Sequence, residues 1–285
     1  MSATVITITS GKGGVGKTTT TAAFGAALAL RGKRVCLVDF DVGLRNLDLV
    51  LGVEKRVVYD FLHVANGQAK LQQALIKDKR VENLFILATS QTHEKDALTL
   101  DGVSRVMEQL KREFDFILCD SPAGIEHGAM MALYHADHAI VVCNPEVSSI
   151  RDADRILGFI ASKSRRAEEG TEPVQEHLLV TRFDPDRAQN GEMITLREIQ
   201  DILSAELLGV VPESKAVLKA SNAGVPASLD AETDAGRAYR DAVSRFLGEA
   251  RSPIRLPSAA AINATLVAGA EQRGFLRRLF RFSFA

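Results

Sequence analysis

The stretch Gly11-Lys-Gly-Gly-Val-Gly-Lys-Thr18 constrains this chain more than any other, because it demands a strand before it and a helix after it. It fits G-x-x-x-x-G-K-[ST], a loop whose glycines let successive backbone N–H groups turn inward around an anion. Val5-Ile-Thr-Ile-Thr9 ahead of it alternates and is β-branched, as a strand requires. Thr19 to Leu30 behind it is rich in Ala and Leu and ends near Gly32, as a helix does. The helix N-terminus adds partial positive charge to the ring of amides. Gly11, Gly13, Gly14, Val15, Gly16 and Thr19 then supply backbone to a nucleotide phosphate site. Lys17 meets the β- and γ-phosphates, and the Thr18 hydroxyl is a ligand for Mg2+.

Lys12 is extra to that pattern. As a plain surface lysine it would have no role. At the second loop position it resembles the signature lysine of the deviant Walker A motif in SIMIBI-class ATPases. There it implies a charge delivered across a nucleotide-sandwich dimer to the partner's phosphates, comparable in logic to an arginine finger.

Composition narrows the class. The chain has 285 residues, 46% of them hydrophobic and 25% charged, enough to bury a large core. A net charge of −1 argues against a surface coated for nucleic acid. Cys36, Cys119 and Cys143 each fall inside an expected strand, with no C-x-x-C. An odd number so placed reads as small buried hydrophobes in a reducing compartment. The first residues do not read as a signal peptide, and no stretch approaches the about 20 apolar residues of a membrane span.

Strand-like apolar runs recur at 4–9, 34–39, 84–88, 114–120, 138–144, 176–182 and 207–213. Helical patterns lie between most of them, at 17–31, 101–112, 127–135, 148–165 and 234–248. Alternation of this kind predicts an α/β fold, a mostly parallel twisted sheet with helices on both faces, of the P-loop NTPase type. Ligands of such sheets sit at the carboxyl ends of strands. The charge cluster Lys163 to Glu169 reads as a solvated helix end. The expected division is an ATPase domain over 1–251, an Ala-rich linker over 252–272 and an amphipathic tail over 273–285. The linker is open between a short helix and a tether.

Carboxylates fall where a nucleotide site needs them. Asp39 and Asp41 lie two apart on an extended segment and so share a face, which brings one of them towards the γ-phosphate water. Asp120 ends the apolar strand Phe116-Ile-Leu-Cys-Asp and matches a Walker B carboxylate that holds Mg2+. Pro122-Ala-Gly124 then resembles a second switch loop.

Longer stretches carry a closer likeness: Asp39-Phe-Asp-Val-Gly-Leu-Arg-Asn-Leu-Asp48, Arg56-Val-Val-Tyr-Asp-Phe61, Gln73-Ala-Leu-Ile-Lys-Asp-Lys-Arg80, Asp120-Ser-Pro-Ala-Gly-Ile125, Asn144-Pro-Glu-Val-Ser-Ser149 and Asp154-Arg-Ile-Leu157. Through them the chain resembles the deviant Walker A ATPases of the MinD/ParA family, on the branch that positions the bacterial division septum. The likeness covers residues 3 to about 250 and the last dozen. It implies an ATP hydrolase that uses ATP and Mg2+ and dimerises on ATP. Lys12 becomes the signature lysine, Asp41 orients the attacking water, and Asp39 and Asp120 support the metal with Thr18. Relatives read the base with an Asn where this chain has Thr181, which leaves Arg182 and the backbone at Pro212 and Glu213 as candidates to hold adenine. Arg45, Asn46, Glu146, Asp152 and Asp154 match positions that bind the partner proteins MinC and MinE. The location implied is cytoplasmic, peripheral on the inner membrane.

The tail supports the same cycle. On a helix, Phe275, Leu276, Leu279 and Phe280 form one stripe, with Arg277, Arg278 and Arg281 towards the other side. A short basic amphipathic helix reads as an in-plane anchor on anionic lipid. Four arginines, counting Arg273, contribute ~1 kcal/mol each near such a surface. Four apolar groups partly buried add ~1 kcal/mol each, and ordering ~10 residues opposes this at ~1 kcal/mol apiece. One tail therefore balances near zero, while two presented together gain ~10²–10⁴-fold in avidity. The rival reading is a ParA-like DNA-partitioning ATPase, which the near-neutral charge and the tail disfavour. An iron–sulfur reductase of the nitrogenase type would need exposed cysteines.

Overall fold

The computed structural model describes residues 3–91, 97–249 and 254. The strands are β1 (Thr4–Thr9), β2 (Val35–Asp39), β3 (Ile76–Lys77), β4 (Leu84–Leu87), β5 (Phe116–Asp120), β6 (His138–Cys143), β7 (Gln175–Phe183) and β8 (Glu206–Pro212). The helices are α1 (Lys17–Ala29), α2 (Leu47–Val50), α3 (Phe61–Ala65), α4 (Leu71–Ala74), α5 (Leu100–Lys111), α6 (His127–Tyr134), α7 (Val147–Lys163), α8 (Arg165–Glu169), α9 (Pro185–Gln189), α10 (Leu196–Ile202), α11 (Lys215–Asn222) and α12 (Asp234–Phe246).

The strands form one sheet in the order β3-β4-β2-β5-β1-β6-β7-β8, parallel throughout except for the short edge strand β3. Side chains alternate across it. Ile6, Ile8, Leu37 and Leu118 enter the core under α1 and α12, while Val5, Cys36, Val38 and Ile117 enter the opposite core under α5. Strands buried on both faces must be apolar at every position, which is why these segments read as continuous runs. From β1 the chain builds outward first through β2 and β5 and later through β6, β7 and β8. A crevice opens at that reversal, beyond the carboxyl end of β1.

Every strand expected from sequence is present within a few residues of its place. Edge strand β3 and the short helices α2 to α4 and α8 to α11 were not legible, because two to eight residues carry too little periodicity. At the charge cluster, Ser164 ends α7 and caps α8, its Oγ accepting from the Ala167 N–H at 3.2 Å. Arg165 pairs with Glu169, and Arg166 with Asp137. All three cysteines are buried, and burial pushes the Cys119 and Cys143 thiols up to about 12. Ile254 packs on the core beneath α7 and α10. The remaining linker positions and the tail, Phe275 to Arg281, lie outside the described residues.

At the end of the sheet remote from the crevice, His138 Nδ1 lies 3.1 Å from His177 Nε2, and the rings stack at 5.4 Å. The Phe246 ring meets both edge-on, at 4.9 and 5.6 Å. Burial, and next the His177 charge, push His138 down to about 4 against the pull of Asp137, with Arg166 adding to the depression. Burial also lowers His177 against Glu206, and takes His135 down to about 4. Histidines held neutral in the fold bind protons more readily once unfolded, so stability is intact above about 6.5 and declines as pH falls towards about 4. We expect His138→Asn to reduce the loss of urea stability between pH 7.5 and pH 5 by about 1 kcal/mol, after allowing for solvent screening. An identical pH dependence in wild type and His138→Asn contradicts the assignment.

Candidate nucleotide site

The glycine loop spans the gap from β1 to α1 in the crevice. Gly16, the residue before α1, has φ +98°, and Gly14 has φ +77°, values that an L side chain rarely adopts. Gly11 is constrained differently: a Cβ there would lie 2.5 Å from the carbonyl oxygen of Asp152 on α7. Lys17 is buried, and its Nζ donates to Ser10 Oγ at 2.9 Å. Ser10 Oγ in turn donates to the Lys12 carbonyl at 2.7 Å. Burial lowers the Lys17 pKa, and the carboxylates of Asp120 and Asp41 counter it.

Two acids face each other across the strand pair. Parallel register places Asp39 of β2 opposite Asp120 of β5, and both are out of water. Burial, and then the neighbouring Asp120 charge, drive the Asp39 carboxyl well above the usual range. Asp120 rises to about 6 through burial, moderated by the hydroxyls of Thr18 and Thr21. Thr21 Oγ1 donates to Asp120 Oδ1 at 2.8 Å. Asp39 accepts the Asp41 N–H at 2.9 Å and the Leu47 N–H at 3.4 Å, so it pins both the Asp41 turn and the start of α2.

A cavity of about 1240 Å³ opens over these groups. Gly13, Gly14, Gly16, Lys17, Thr18, Thr19, Asp41, Asn46 and Arg182 line it, together with Ser121 to Ala123 after β5. Arg182 is exposed and holds φ +54°, a strained conformation for a residue with a Cβ. Pro212 and Glu213 lie beside it at the end of β8, outside the cavity lining, with the Glu213 N–H donating to Phe183 O at 3.1 Å. Residues missed from sequence also line the cavity, Gly52 to Glu54 without Val53 and Ser221 to Gly224 among them. No local signal marks them, since only the fold brings them near the loop. Thr21 was findable, because it lies one helical turn beyond Thr18.

Lys12 does not point into the loop. Its Nζ reaches Glu146 Oε2 at 2.8 Å and Ser148 Oγ at 3.2 Å within the same molecule. Lys12 and Glu146 are 39% and 54% exposed, so the pair is held by ~0–1 kcal/mol and is cheap to open. Asp152 and Asp154 follow on α7, the latter exposed. Arg45 is tied down: its Nε meets the buried Asp48 carboxylate at 2.6 Å and its Nη2 donates to the Glu54 carbonyl at 3.3 Å. Arg45 also has a positive φ of +45°.

Thr181, near the end of β7, has structural work. Its buried hydroxyl donates to the Val15 carbonyl at 2.7 Å and lies 2.8 Å from Asn144 Oδ1, joining the loop to the ends of β6 and β7. Thr181→Val strands those acceptors and should cost about 1–3 kcal/mol. Equilibrium urea unfolding measures it, and an unchanged midpoint would show the bond to be idle.

Sheet order, glycine loop and acid pair define a P-loop nucleotide-binding protein. The comparisons narrow that class. The model of the CobQ/CobB/MinD/ParA nucleotide-binding domain matches residues 6–227. The septum site-determining protein MinD of Escherichia coli K12 is 57% identical over 98% of this chain and 99% of its own length. A MinC:MinD cell division complex from Aquifex aeolicus contains a chain that is 42% identical, with a TM-score of 0.79, covering 89% of this chain and 99% of that one. MinD of Pyrococcus horikoshii OT3, solved with Mg-ADP, is 31% identical, with a TM-score of 0.75, covering 88% and 100%. The chain belongs to the MinD family of septum site-determining proteins.

Proposed function

We propose that this chain is an ATPase that places the division septum, cycling between a free form and a membrane-bound dimer. One observation carries the site assignment: a phosphate loop and a buried lysine line one cavity, with two register-paired carboxylates buried beside that lysine. The P. horikoshii relative is described with Mg-ADP. The donor set here suits such a ligand, because the raised Asp39 and Asp120 carboxyls mark a site short of positive charge.

In this reading Lys17 and the amides from Gly11 to Thr19 bind the phosphates. Thr18, Asp39 and Asp120 would hold Mg2+, which would supply charge neutralisation for the phosphates. Asp41, partly exposed beside Lys17, orients water. Lys12 leaves Glu146 and reaches the phosphates of a second copy. Arg182, with the backbone at Pro212 and Glu213, holds the base. Asp41→Ala should retain ATP binding and lower turnover by about 10²-fold or more; unchanged turnover would remove Asp41 from the mechanism.

Asn46, Glu146, Asp152 and Asp154, with Arg45 behind them, form the surface for a MinC-type inhibitor and a MinE-type activator. Support for the first is the A. aeolicus complex, described as MinC:MinD. Among the described residues no helix is long and apolar enough to cross a membrane. The basic amphipathic pattern of the tail over 273–285 supports assigning attachment to it, joined to the ATPase domain over 1–251 by the linker over 252–272. Sedimentation with anionic liposomes should show binding with ATP, little with ADP, and none for a chain ending at Glu271. Equal binding with ATP and ADP would contradict the cycle.

A further inference from the structure

Arg80 lies far from the glycine loop in sequence, yet it ties together two helix ends that flank the cavity. Its Nη2 donates to the carbonyl of Leu51, the residue closing α2, at 2.6 Å. Its Nη1 donates to the carbonyl of Gly224, just beyond α11. Asp78 holds the guanidinium from behind, with Oδ2 2.9 Å from Nη2. Asp78 is 1% exposed, and hydrogen bonds from Arg80 and from two backbone N–H groups outweigh its burial and lower its pKa. The last carbonyls of a helix lack partners inside it and favour a cation. One fork thus serves the end of α2 and the turn just past α11.

The two ends touch at glycines. Gly52 and Gly224 have φ of +62° and +65°, and a Cβ on Gly224 would sit 2.6 Å from Gly52 Cα. Both glycines line the nucleotide cavity, as do Leu49 and Val50 of α2 and Ser221 and Asn222 of α11. Helix α2 is consequently anchored twice. Asp39 holds its first N–H on the side of the acid pair, and Arg80 holds its last carbonyl on the side of α11.

We propose that Arg80 is a positioning residue for nucleotide binding: it clamps α2 to α11 and so fixes the cavity wall that they share. The inference rests on the nucleotide reading of the cavity. Because Asp39 keeps the catalytic end of α2 in place, loss of the clamp loosens the wall and leaves the hydrolytic groups where they are. Affinity for ATP and ADP falls together, while turnover at saturation is retained. A purely structural ion pair would change stability without this split.

The test titrates full-length protein with fluorescent ATP and ADP analogues and measures basal turnover at saturating ATP. The double variant Asp78→Asn/Arg80→Gln removes the clamp without stranding a buried carboxylate. Arg80→Lys keeps the charge but loses the fork, and covers the case in which the double variant fails to fold. The expected result is a rise of about fivefold or more in both dissociation constants with kcat within about twofold of wild type. Unchanged dissociation constants, or a fall in kcat with affinity kept, would overturn the clamp. Wild-type protein that binds neither analogue would instead overturn the nucleotide reading itself.

Discussion

Asp39 and Asp120 stand side by side at the ends of neighbouring parallel strands, both removed from water. Two carboxylates so placed repel each other and resist ionising, and burial makes the penalty larger. The surroundings are organised to offset that penalty in part. Thr21 donates to one acid, backbone N–H groups of Asp41 and Leu47 donate to the other, and Lys17 lies buried nearby. What remains is an unmet demand for positive charge at the mouth of a loop built to hold phosphate. A metal–nucleotide complex meets both needs at once, which is why fold and function are hard to separate in this molecule.

The signature lysine has a different logic. Where Lys17 is buried and fixed, Lys12 lies on the surface in an ion pair with Glu146 that solvent already weakens. Such loose holding is what the proposed role at a neighbour's phosphates would require. Glu146 also begins the α7 segment whose acids, Asp152 and Asp154, belong to the proposed partner surface, and Asp152 packs against Gly11. The loop, the lysine and the partner surface are therefore mechanically adjacent.

Much of this was legible in the amino-acid sequence. The sheet could be read because a parallel strand buried on both faces is apolar at every position. The phosphate loop stood out because Lys17 and Thr18 open a helix after a glycine run, and Asp120 because it closes an apolar strand. What could not be read is what depends on approach between distant segments. Thr181 gave no hint that its hydroxyl would secure Val15 across the loop. Arg80 looked like one basic residue among several, and only folding sets it between Leu51 and Gly224. Short helices such as α2 lacked the length for a periodic signal, though α2 connects the acid pair to the cavity wall.

The account stands on nucleotide joining two copies of the chain through Lys12. Sedimentation velocity on Asp41→Ala protein, in which captured ATP should persist, tests this most directly. The account predicts dimers with Mg2+ and ATP, monomers with Mg2+ and ADP, and monomers in both when Lys12→Ala is added. Asp41→Ala protein that stays monomeric at saturating ATP, or dimers that form equally well without Lys12, would contradict it.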